Sequence, residues 1–326
     1  MHILIIGAAG MVGRKLVERL TRDGRLGRDA ITRMTLHDVI EPAAPPGVSV
    51  PVETRASDFS EPGEAEKLIA GRPDVIFHLA AIVSAEAEAD FDKGYRINLD
   101  GTRRLFEAVR QIGGYAPRLV FTSSIAVFGA PFPDAIGDEF LTAPLTSYGT
   151  QKAIGELLLS DYSRRGSFDG VGIRLPTICV RPGAPNKAAS GFFSNIIREP
   201  LNGQEAVLPV PDDVRHWHAS PRSAVGFLIH AATIDGARVG PRRNLTMPGV
   251  AASVGEQIEA LRRVAGDKVA ARIRREPDEL VMRIVDGWAQ RVDARRAREL
   301  GFKAESSFDE IVLIHIEEDR GGSFVA

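Results

Sequence analysis

The sequence of 326 residues has little of what several classes of protein require. It contains one cysteine, Cys179, in an apolar run, which excludes a framework of disulfide bonds. The 41 lysines and arginines nearly balance the 43 aspartates and glutamates, and the net charge of −2 gives no basic surface for nucleic acid or an anionic membrane. No apolar run approaches the length of a membrane-spanning helix. We therefore expect a small molecule as the partner, and neither nucleic acid nor membrane.

The composition is that of an ordinary globular protein with a large core, since 44% of the residues are hydrophobic and 26% are charged. The amino terminus, MHILIIGAAG, is apolar but short, lacks a basic leading segment and runs directly into glycines. Those features are typical of a strand rather than of a signal peptide. We expect a cytoplasmic protein.

Short apolar runs alternate with helix-like stretches in the first half of the sequence. Six runs are predicted strands: HILIIG, RMTLHDV, VPVETRA, DVIFHLAA, RLVFTSS and GVGIRLPTI. Four stretches with helical spacing lie between them: GRKLVERLTRD, PGEAEKLIAG, NLDGTRRLFEAVRQIG and YGTQKAIGELLLSDYSRRG. This alternation predicts an α/β fold with a Rossmann-type, doubly wound parallel sheet.

The alternation ends near residue 176. The stretches RPGAPNKAASGF and LPVPDDVRHWHASPRS contain proline, glycine and asparagine in the manner of loops. We expect residues 1–176 to form mainly the cofactor-binding domain. Residues 177–326 would form mainly a smaller α/β cap that binds the substrate, with some segments returning to the first domain.

A glycine-rich stretch, GAAGMVG, follows the first predicted strand and opens the first predicted helix. Backbone N–H groups and the positive end of a helix can hold a pyrophosphate there, and glycines let the phosphates approach. A bare three-glycine pattern can also be a simple turn, so the position after a strand carries the prediction. The expected phosphate cradle consists of Gly7, Gly10, Met11, Val12 and Gly13.

An acidic residue, Asp38, ends the second predicted strand in the sequence LHDV. At this position a carboxylate accepts hydrogen bonds from both adenosine ribose hydroxyls and repels a 2′-phosphate. The sequence therefore predicts NAD rather than NADP, although the nearby Arg33 could temper that preference. The alternative is a solvated aspartate at a strand end.

Tyr148 and Lys152 are four residues apart at the start of a predicted helix, so their side chains share one face. A free tyrosine is a poor general base at neutral pH because its pKa is near 10. We expect the Lys152 ammonium to lower the pKa of Tyr148, which could then take the proton of a substrate hydroxyl during hydride transfer. As an isolated pattern, the same spacing would describe a solvated pair.

The spacing of GAAGMVG, DVIFHLAA, NLDGTRRL, FTSSIAVFG and SYGTQK over residues 1–185 resembles the extended short-chain dehydrogenase/reductase family, which includes NAD-dependent epimerases and dehydratases. The resemblance implies a homodimer and a catalytic Ser124, with Ser123 as its neighbour, beside Tyr148 and Lys152. Phe128 stands where the family often has tyrosine. The remaining cofactor contacts implied are Asp58 by the adenine, then Leu79, Ala80, Ala81 and Asn98.

These residues are compatible with two functions, a nucleotide-sugar epimerase or dehydratase and a sugar-acid dehydrogenase. Nucleotide-sugar epimerases and dehydratases of the family commonly read R-D-F-x-H-V-D-D near the cap, where this sequence has RHWHASPRS. The whole chain, including LPTICVRPGAPNKAASGFFSNIIREPLNG and VRHWHASPRSA, instead resembles dehydrogenases that oxidise the 2-hydroxyl of a four-carbon sugar acid, D-erythronate, to 2-dehydro-D-erythronate. A cofactor sensor without catalysis is disfavoured because the complete set of Ser124, Tyr148 and Lys152 would have no role.

The substrate of such a dehydrogenase would carry a carboxylate, for which a bidentate guanidinium is the best partner. Arg215 is the first candidate and Arg222 the second, and the alternative is that both arginines pair with surface carboxylates. No metal is expected, because His216 and His218 have no third ligand at a suggestive spacing. The expected substrate-binding residues are Ser84, Ser124, Tyr148, Thr177, Asn186, Ser190 and Arg215.

Overall fold

The computed structural model describes residues 1–183 and 190–326. The strands are β1 His2–Ile6, β2 Arg25–Leu26, β3 Asp29–Ala30, β4 Arg33–Asp38, β5 Val52–Ala56, β6 Val75–His78, β7 Arg118–Ser124, β8 Asp169–Leu175, β9 Thr177–Ile178, β10 Ala206–Leu208, β11 Arg215–Ala219, β12 Asn244–Thr246, β13 Val250–Ser253 and β14 Ile273–Arg275. The helices are α1 Met11–Asp23, α2 Glu64–Ile69, α3 Ser84–Ala89, α4 Phe91–Gly94, α5 Thr102–Gln111, α6 Ser147–Arg164, α7 Gly191–Leu201, α8 Pro221–Thr233, α9 Gly236–Val239, α10 Val254–Ala265, α11 Asp267–Ala270, α12 Glu279–Asp286, α13 Arg295–Glu299 and α14 Phe308–Asp319. A π-helix, Tyr95–Gly101, precedes α5, and a 3₁₀ turn, Ile125–Val127, follows β7. Within these residues no helix is both long and apolar enough to cross a membrane.

Seven parallel strands form the central sheet in the order β5-β4-β1-β6-β7-β8-β12. This is the strand order of a Rossmann sheet, so the predicted fold class is confirmed, and all six predicted strands are present. The seventh strand, β12, escaped prediction because its three residues show no periodicity.

Helices cover both faces of the sheet, as the alternation along β1 shows. Ile3 and Ile5 pack into a core that includes α1 and α8, whereas Leu4 and Ile6 pack into a second core with α2, α5 and α6. Successive side chains of a strand point to opposite faces, so an unbroken apolar strand must be buried on both.

The segments that follow five of the elements meet at one edge of the sheet, because parallel strands all end there. The glycine loop follows β1 at Gly7, and Asp38 ends β4. Leu79 follows β6, Ser124 ends β7, and Thr177 lies just beyond β8. This edge is where the site forms.

The cap has its own apolar core, built from α7, α10 and α14, and a three-stranded sheet in the order β13-β11-β9. The prediction of a loop for RHWHASPRS is wrong, because Arg215–Ala219 is β11 and α8 begins at Pro221. The strand β11 was not predicted because its two histidines count as polar residues in a sequence pattern. His216 and His218 are both buried, and the His216 ring stacks on Phe193 with ring centroids 5.4 Å apart.

Three buried histidines make the fold sensitive to acid. Burial lowers the pKa of His78 to about 3 and that of His216 to about 4, and the pKa of His218 also lies well below 6.5. Each ring is neutral in the folded chain, whereas the unfolded chain takes up protons below about pH 6.5. Lowering the pH therefore destabilises the folded chain relative to the unfolded chain.

We expect the free energy of unfolding to decrease as the pH is lowered from about 6.5 towards about 4, by up to about 3 kcal/mol for His216 alone. Urea unfolding followed by circular dichroism at several pH values measures this slope. His218→Gln should make it shallower. A free energy of unfolding that stays constant over this range would contradict the account.

Candidate active site

The glycine loop has the shape of a phosphate cradle. Gly7 has a φ of +97° and donates its N–H to the His37 carbonyl at 2.8 Å, and a Cβ at Gly7 would lie 2.6 Å from the Ala80 nitrogen. A Cβ at Gly13 would overlap the Gly7 carbonyl oxygen, whereas one at Gly10 would meet only that oxygen, at 3.4 Å. The N–H groups of the first turn of α1, from Met11 onward, have no partners within the helix. This end of α1 fits a dinucleotide pyrophosphate.

The three glycines should respond differently to a methyl group. Gly13→Ala forces backbone atoms apart and should cost about 1–3 kcal/mol of folding free energy. Gly10→Ala leaves the fold nearly unchanged but places a methyl where phosphate approaches, and should weaken NAD binding at least about tenfold. Thermal unfolding and calorimetric NAD titration separate the two effects. If Gly10→Ala bound NAD as tightly as the parent, the prediction that this loop holds the pyrophosphate would be wrong.

The glycine loop orients the side chain of Asp38. One carboxylate oxygen accepts the Ala9 N–H at 2.9 Å, and the other accepts the Val39 N–H at 2.7 Å. Each oxygen keeps a further lone pair at the end of β4 that can accept another hydrogen bond.

Asp58 lies just after β5, and Asn98 lies in the π-helix. Burial favours a higher pKa for Asp58, but hydrogen bonds from Ser60 and from Arg96, at 2.6 Å, outweigh it and lower the pKa. Asn98, in the π-helix, is buried and bonds both backbone groups of Ile82, at 2.9 and 3.1 Å. Asn98 therefore positions the segment after β6, which includes Leu79, Ala80 and Ala81.

A cleft of about 310 Å³ opens between this sheet edge and the cap. It brings together many of the residues that the sequence singled out: Val12, Leu79, Ala81, Ser84, Ser124, Tyr148, Lys152, Thr177 and Ser190. Asn186 lies outside the described residues. Phe128 also lines the cleft, as do three residues that sequence reasoning missed: Arg181, His216 and Trp288.

Helix α6 holds the tyrosine and lysine. Thr146 caps the helix by accepting the Gly149 N–H at 3.1 Å, so that Tyr148 lies in the first turn and Lys152 one turn later. The Lys152 ammonium donates to the Thr122 carbonyl at 2.8 Å and lies 5.8 Å from the centre of the Tyr148 ring. Burial lowers the pKa of Lys152 to about 8, against the opposing charge of Glu156.

The expectation that Lys152 leaves Tyr148 with a lowered pKa is wrong. Burial raises the pKa of Tyr148 to about 12, and the effects that oppose this rise are the positive charge of Arg181 and a hydrogen bond with Ser124. The Lys152 ammonium is already bound to a carbonyl. Arg181 is thus a cation that acts on the tyrosine from the cap side.

The two neighbouring serines have different surroundings. Ser123 is buried and donates to Glu156 at 2.5 Å, and Glu156 in turn forms a 2.7 Å ion pair with Arg174. Ser124 accepts the Ala126 N–H at 3.1 Å and lines the cleft. Both serines line the cleft, but the Ser123 hydroxyl is bound to Glu156, so the Ser124 hydroxyl is the one available to a substrate.

A hydrogen-bonded chain fixes the role of the Thr177 hydroxyl. The Ala289 carbonyl lies 2.8 Å from His216 Nδ1 and can only accept, so Nδ1 carries the proton. Because burial lowers the pKa of His216 to about 4, the ring is neutral and Nε2 accepts from the Thr177 hydroxyl at 2.7 Å. The Thr177 oxygen therefore presents lone pairs, which suit a substrate hydroxyl.

The structure does not bring Arg215 or Arg222 to the cleft. Arg215 pairs with Glu256 at 2.9 Å on the outside of the cap. Arg222 pairs with Glu317 at 2.5 Å and with Glu318 at 2.6 Å. The predictions that Arg215 or Arg222 binds the substrate are therefore wrong. The sequence did not reveal these ion pairs, because each arginine is distant in sequence from its acidic partners. Arg181 could have been noticed from its place in TICVRPG, an apolar stretch without acidic neighbours.

A Rossmann sheet with a glycine-rich loop after its first strand, an aspartate at the end of the next strand, and a serine, a tyrosine and a lysine at the same edge is the arrangement of nicotinamide-dependent enzymes of the short-chain dehydrogenase/reductase class. Residues 3–219 match the NAD dependent epimerase/dehydratase family, and the chain belongs to that family.

Three similar proteins cover almost the whole chain. A D-erythronate dehydrogenase from Cupriavidus necator is 47% identical over 98% of both chains. A D-erythronate dehydrogenase from Haemophilus influenzae is 40% identical over 98% of this chain and 100% of its own. The crystal structure described as the nucleoside-diphosphate-sugar epimerase from Agrobacterium tumefaciens is 72% identical, with a TM-score of 0.97, over 99% of this chain and 95% of that one.

Proposed function

We propose that the protein is an NAD-dependent dehydrogenase that oxidises the 2-hydroxyl of D-erythronate to 2-dehydro-D-erythronate. The observation that carries this proposal is the small cleft, in which Ser124, Tyr148 and Lys152 face hydroxyl-binding groups of the cap. The names of the relatives at 47% and 40% identity support the choice of substrate.

In this reaction Tyr148 takes the proton of the 2-hydroxyl while the hydrogen on the same carbon leaves as hydride, so that a carbonyl forms. NAD, when bound, supplies the hydride acceptor. Ser124 donates a hydrogen bond to the reacting oxygen and holds it towards Tyr148. Lys152 keeps a positive charge beside the tyrosine and the expected position of the nicotinamide ribose.

We propose the cofactor contacts from the same geometry. Gly7, Gly10, Gly13 and the first turn of α1 would hold the pyrophosphate, and Asp38 the adenosine ribose. On the cap side, Ser84, Thr177 and Ser190 would hold the remaining hydroxyls of the substrate. Residues 1–176 would thus serve mainly the cofactor and residues 177–326 mainly the substrate, in an enzyme of cytoplasmic carbohydrate metabolism.

The alternative is a nucleotide-sugar epimerase, the description attached to the similar Agrobacterium tumefaciens structure. Such an enzyme returns the hydride to its substrate and releases no reduced cofactor. The test is to incubate the protein with NAD and either four- to six-carbon sugar acids or nucleotide sugars, and to follow reduced nicotinamide by absorbance. We expect D-erythronate to give the fastest reduction. Interconversion of a nucleotide sugar without reduced cofactor would establish the epimerase instead.

We also propose a homodimer that packs through α5 and α6, as the family resemblance implies. Leu157 on α6 is 69% exposed and would be covered by the partner. Leu157→Asp should convert the dimer into a monomer in light scattering at micromolar concentration. Leu313→Asp, on α14, is the control because Leu313 is 52% exposed but lies outside this face. A parent protein that is already monomeric would contradict the proposal.

A further inference from the structure

We propose that Arg181 binds the carboxylate of the substrate and so makes the enzyme select acids over neutral polyols. The inference rests on the proposed function, because it assigns the part of the cleft that recognises a sugar acid. It replaces the roles expected for Arg215 and Arg222.

The backbone and side chain of Arg181 are held firmly at the wall of the cleft. Its N–H donates to the Ser194 hydroxyl at 3.0 Å, and its carbonyl accepts from Arg198 at 2.7 Å. In the guanidinium, Nε donates to the Ile178 carbonyl at 3.1 Å and Nη2 to the Ser190 hydroxyl at 3.2 Å. A planar donor group fixed in this way loses little conformational entropy when it binds a ligand.

Within the part of the chain that the structure describes, no carboxylate acts as a counter-ion for Arg181. Arg174 and Arg198 form ion pairs with Glu156 and Glu199, at 2.7 and 2.6 Å, whereas no carboxylate in residues 1–183 or 190–326 pairs with Arg181. The segment 184–189, APNKAA, contains no acidic residue. A partly buried guanidinium without a carboxylate is costly unless an anion completes the site.

The position of this charge suits a 2-hydroxy acid in particular. In such an acid the carboxylate is attached directly to the carbon whose hydroxyl reacts, so its binding group must lie beside the catalytic base. Arg181 meets this requirement, because it lines the same cleft as Tyr148 and Ser124. Its positive charge also opposes the rise in the pKa of Tyr148. Among the described residues that line the cleft, Lys152 is the other cation, but its ammonium is bound to the Thr122 carbonyl. With the carboxylate on Arg181, the lone pairs of Thr177 face the hydroxyls further along the substrate.

The test compares Arg181→Lys and Arg181→Met with the control Arg215→Lys. For D-erythronate we expect KM to rise at least about 30-fold in both Arg181 variants, because the bidentate, charge-assisted contact is lost. KM for erythritol, the neutral polyol of the same length, should stay within about twofold of the parent, as should NAD affinity. Arg215→Lys should match the parent for both compounds. A merely structural role would instead change both substrates and NAD binding together.

Arg181 variants that bind NAD as the parent does and keep the parent's preference for D-erythronate over erythritol would overturn the inference. A second measurement needs no variant. A crystal structure of the parent with NAD and D-erythronate should show the carboxylate within hydrogen-bonding distance of Arg181, and a carboxylate bound elsewhere would also overturn it. A parent enzyme that does not oxidise D-erythronate or any other sugar acid refutes the proposed function itself, which distinguishes the two failures.

Discussion

Tyr148→Phe is expected to reduce turnover at least ~100-fold, because it removes the group that takes the substrate proton. The phenol faces the cleft, and the change deletes one oxygen without altering the packing of the ring. NAD affinity should change by no more than about twofold, since the pyrophosphate cradle and Asp38 are untouched. Turnover by stopped-flow absorbance and affinity by calorimetry measure the two quantities.

A matched control is available on the same helix. The Tyr162 hydroxyl bonds the surface residue Glu107, so Tyr162→Phe makes the identical chemical change away from the cleft and should leave turnover unchanged. Near-normal turnover of Tyr148→Phe would eliminate tyrosine as the base. Comparable losses in the two variants would show that the change acts through folding.

The pH dependence follows from the same residue. Burial raises the pKa of Tyr148 to about 12, so the deprotonated form grows with pH and the rate of oxidation should rise with it. Because Arg181 opposes this rise in pKa, Arg181→Met should shift the pH profile of the parent further towards alkaline pH.

Asp38→Ser is expected to shift the ratio of kcat/KM for NAD to that for NADP by roughly 100-fold towards NADP. The carboxylate would accept two ribose hydroxyls at about 1.5–3 kcal/mol each, and its charge repels a 2′-phosphate. Asp38→Asn keeps one acceptor and removes the charge, so its ratio should lie between those of Asp38→Ser and the parent.

Glu41→Ser is the control for general surface charge, because Glu41 lies just beyond β4 and accepts a hydrogen bond from the Thr54 hydroxyl. Its ratio should equal that of the parent. If Asp38→Ser leaves the ratio unchanged, another group sets the cofactor preference, and Asp38 serves only to bind the N–H groups of Ala9 and Val39.

Local sequence patterns predicted the parts of the molecule whose geometry depends on neighbouring residues. The glycine loop, the position of Asp38 and the pairing of Tyr148 with Lys152 each follow from spacings within one strand, turn or helix. The six strands of the sheet were predictable for the same reason, since buried parallel strands are continuous apolar runs.

Interactions between distant residues were not predictable in this way. Arg215 and Glu256 are 41 positions apart, and only the pairing of β11 with β13 brings them together. β11 was itself missed because histidines count as polar in a sequence, although burial keeps His216 and His218 neutral. The pKa of Tyr148 likewise depends on how deeply the cleft buries it and on Arg181, neither of which the spacing to Lys152 reveals.

The central claim is that hydride leaves the carbon that bears the 2-hydroxyl and stays on the cofactor. D-erythronate carrying deuterium at C2 tests this directly, with the nicotinamide product analysed by mass spectrometry. We expect one deuterium in released reduced cofactor, formed together with 2-dehydro-D-erythronate, at a rate at least ~100-fold lower with Tyr148→Phe. Deuterium lost to solvent, or labelled acid recovered unchanged while a nucleotide sugar is epimerised, would contradict it.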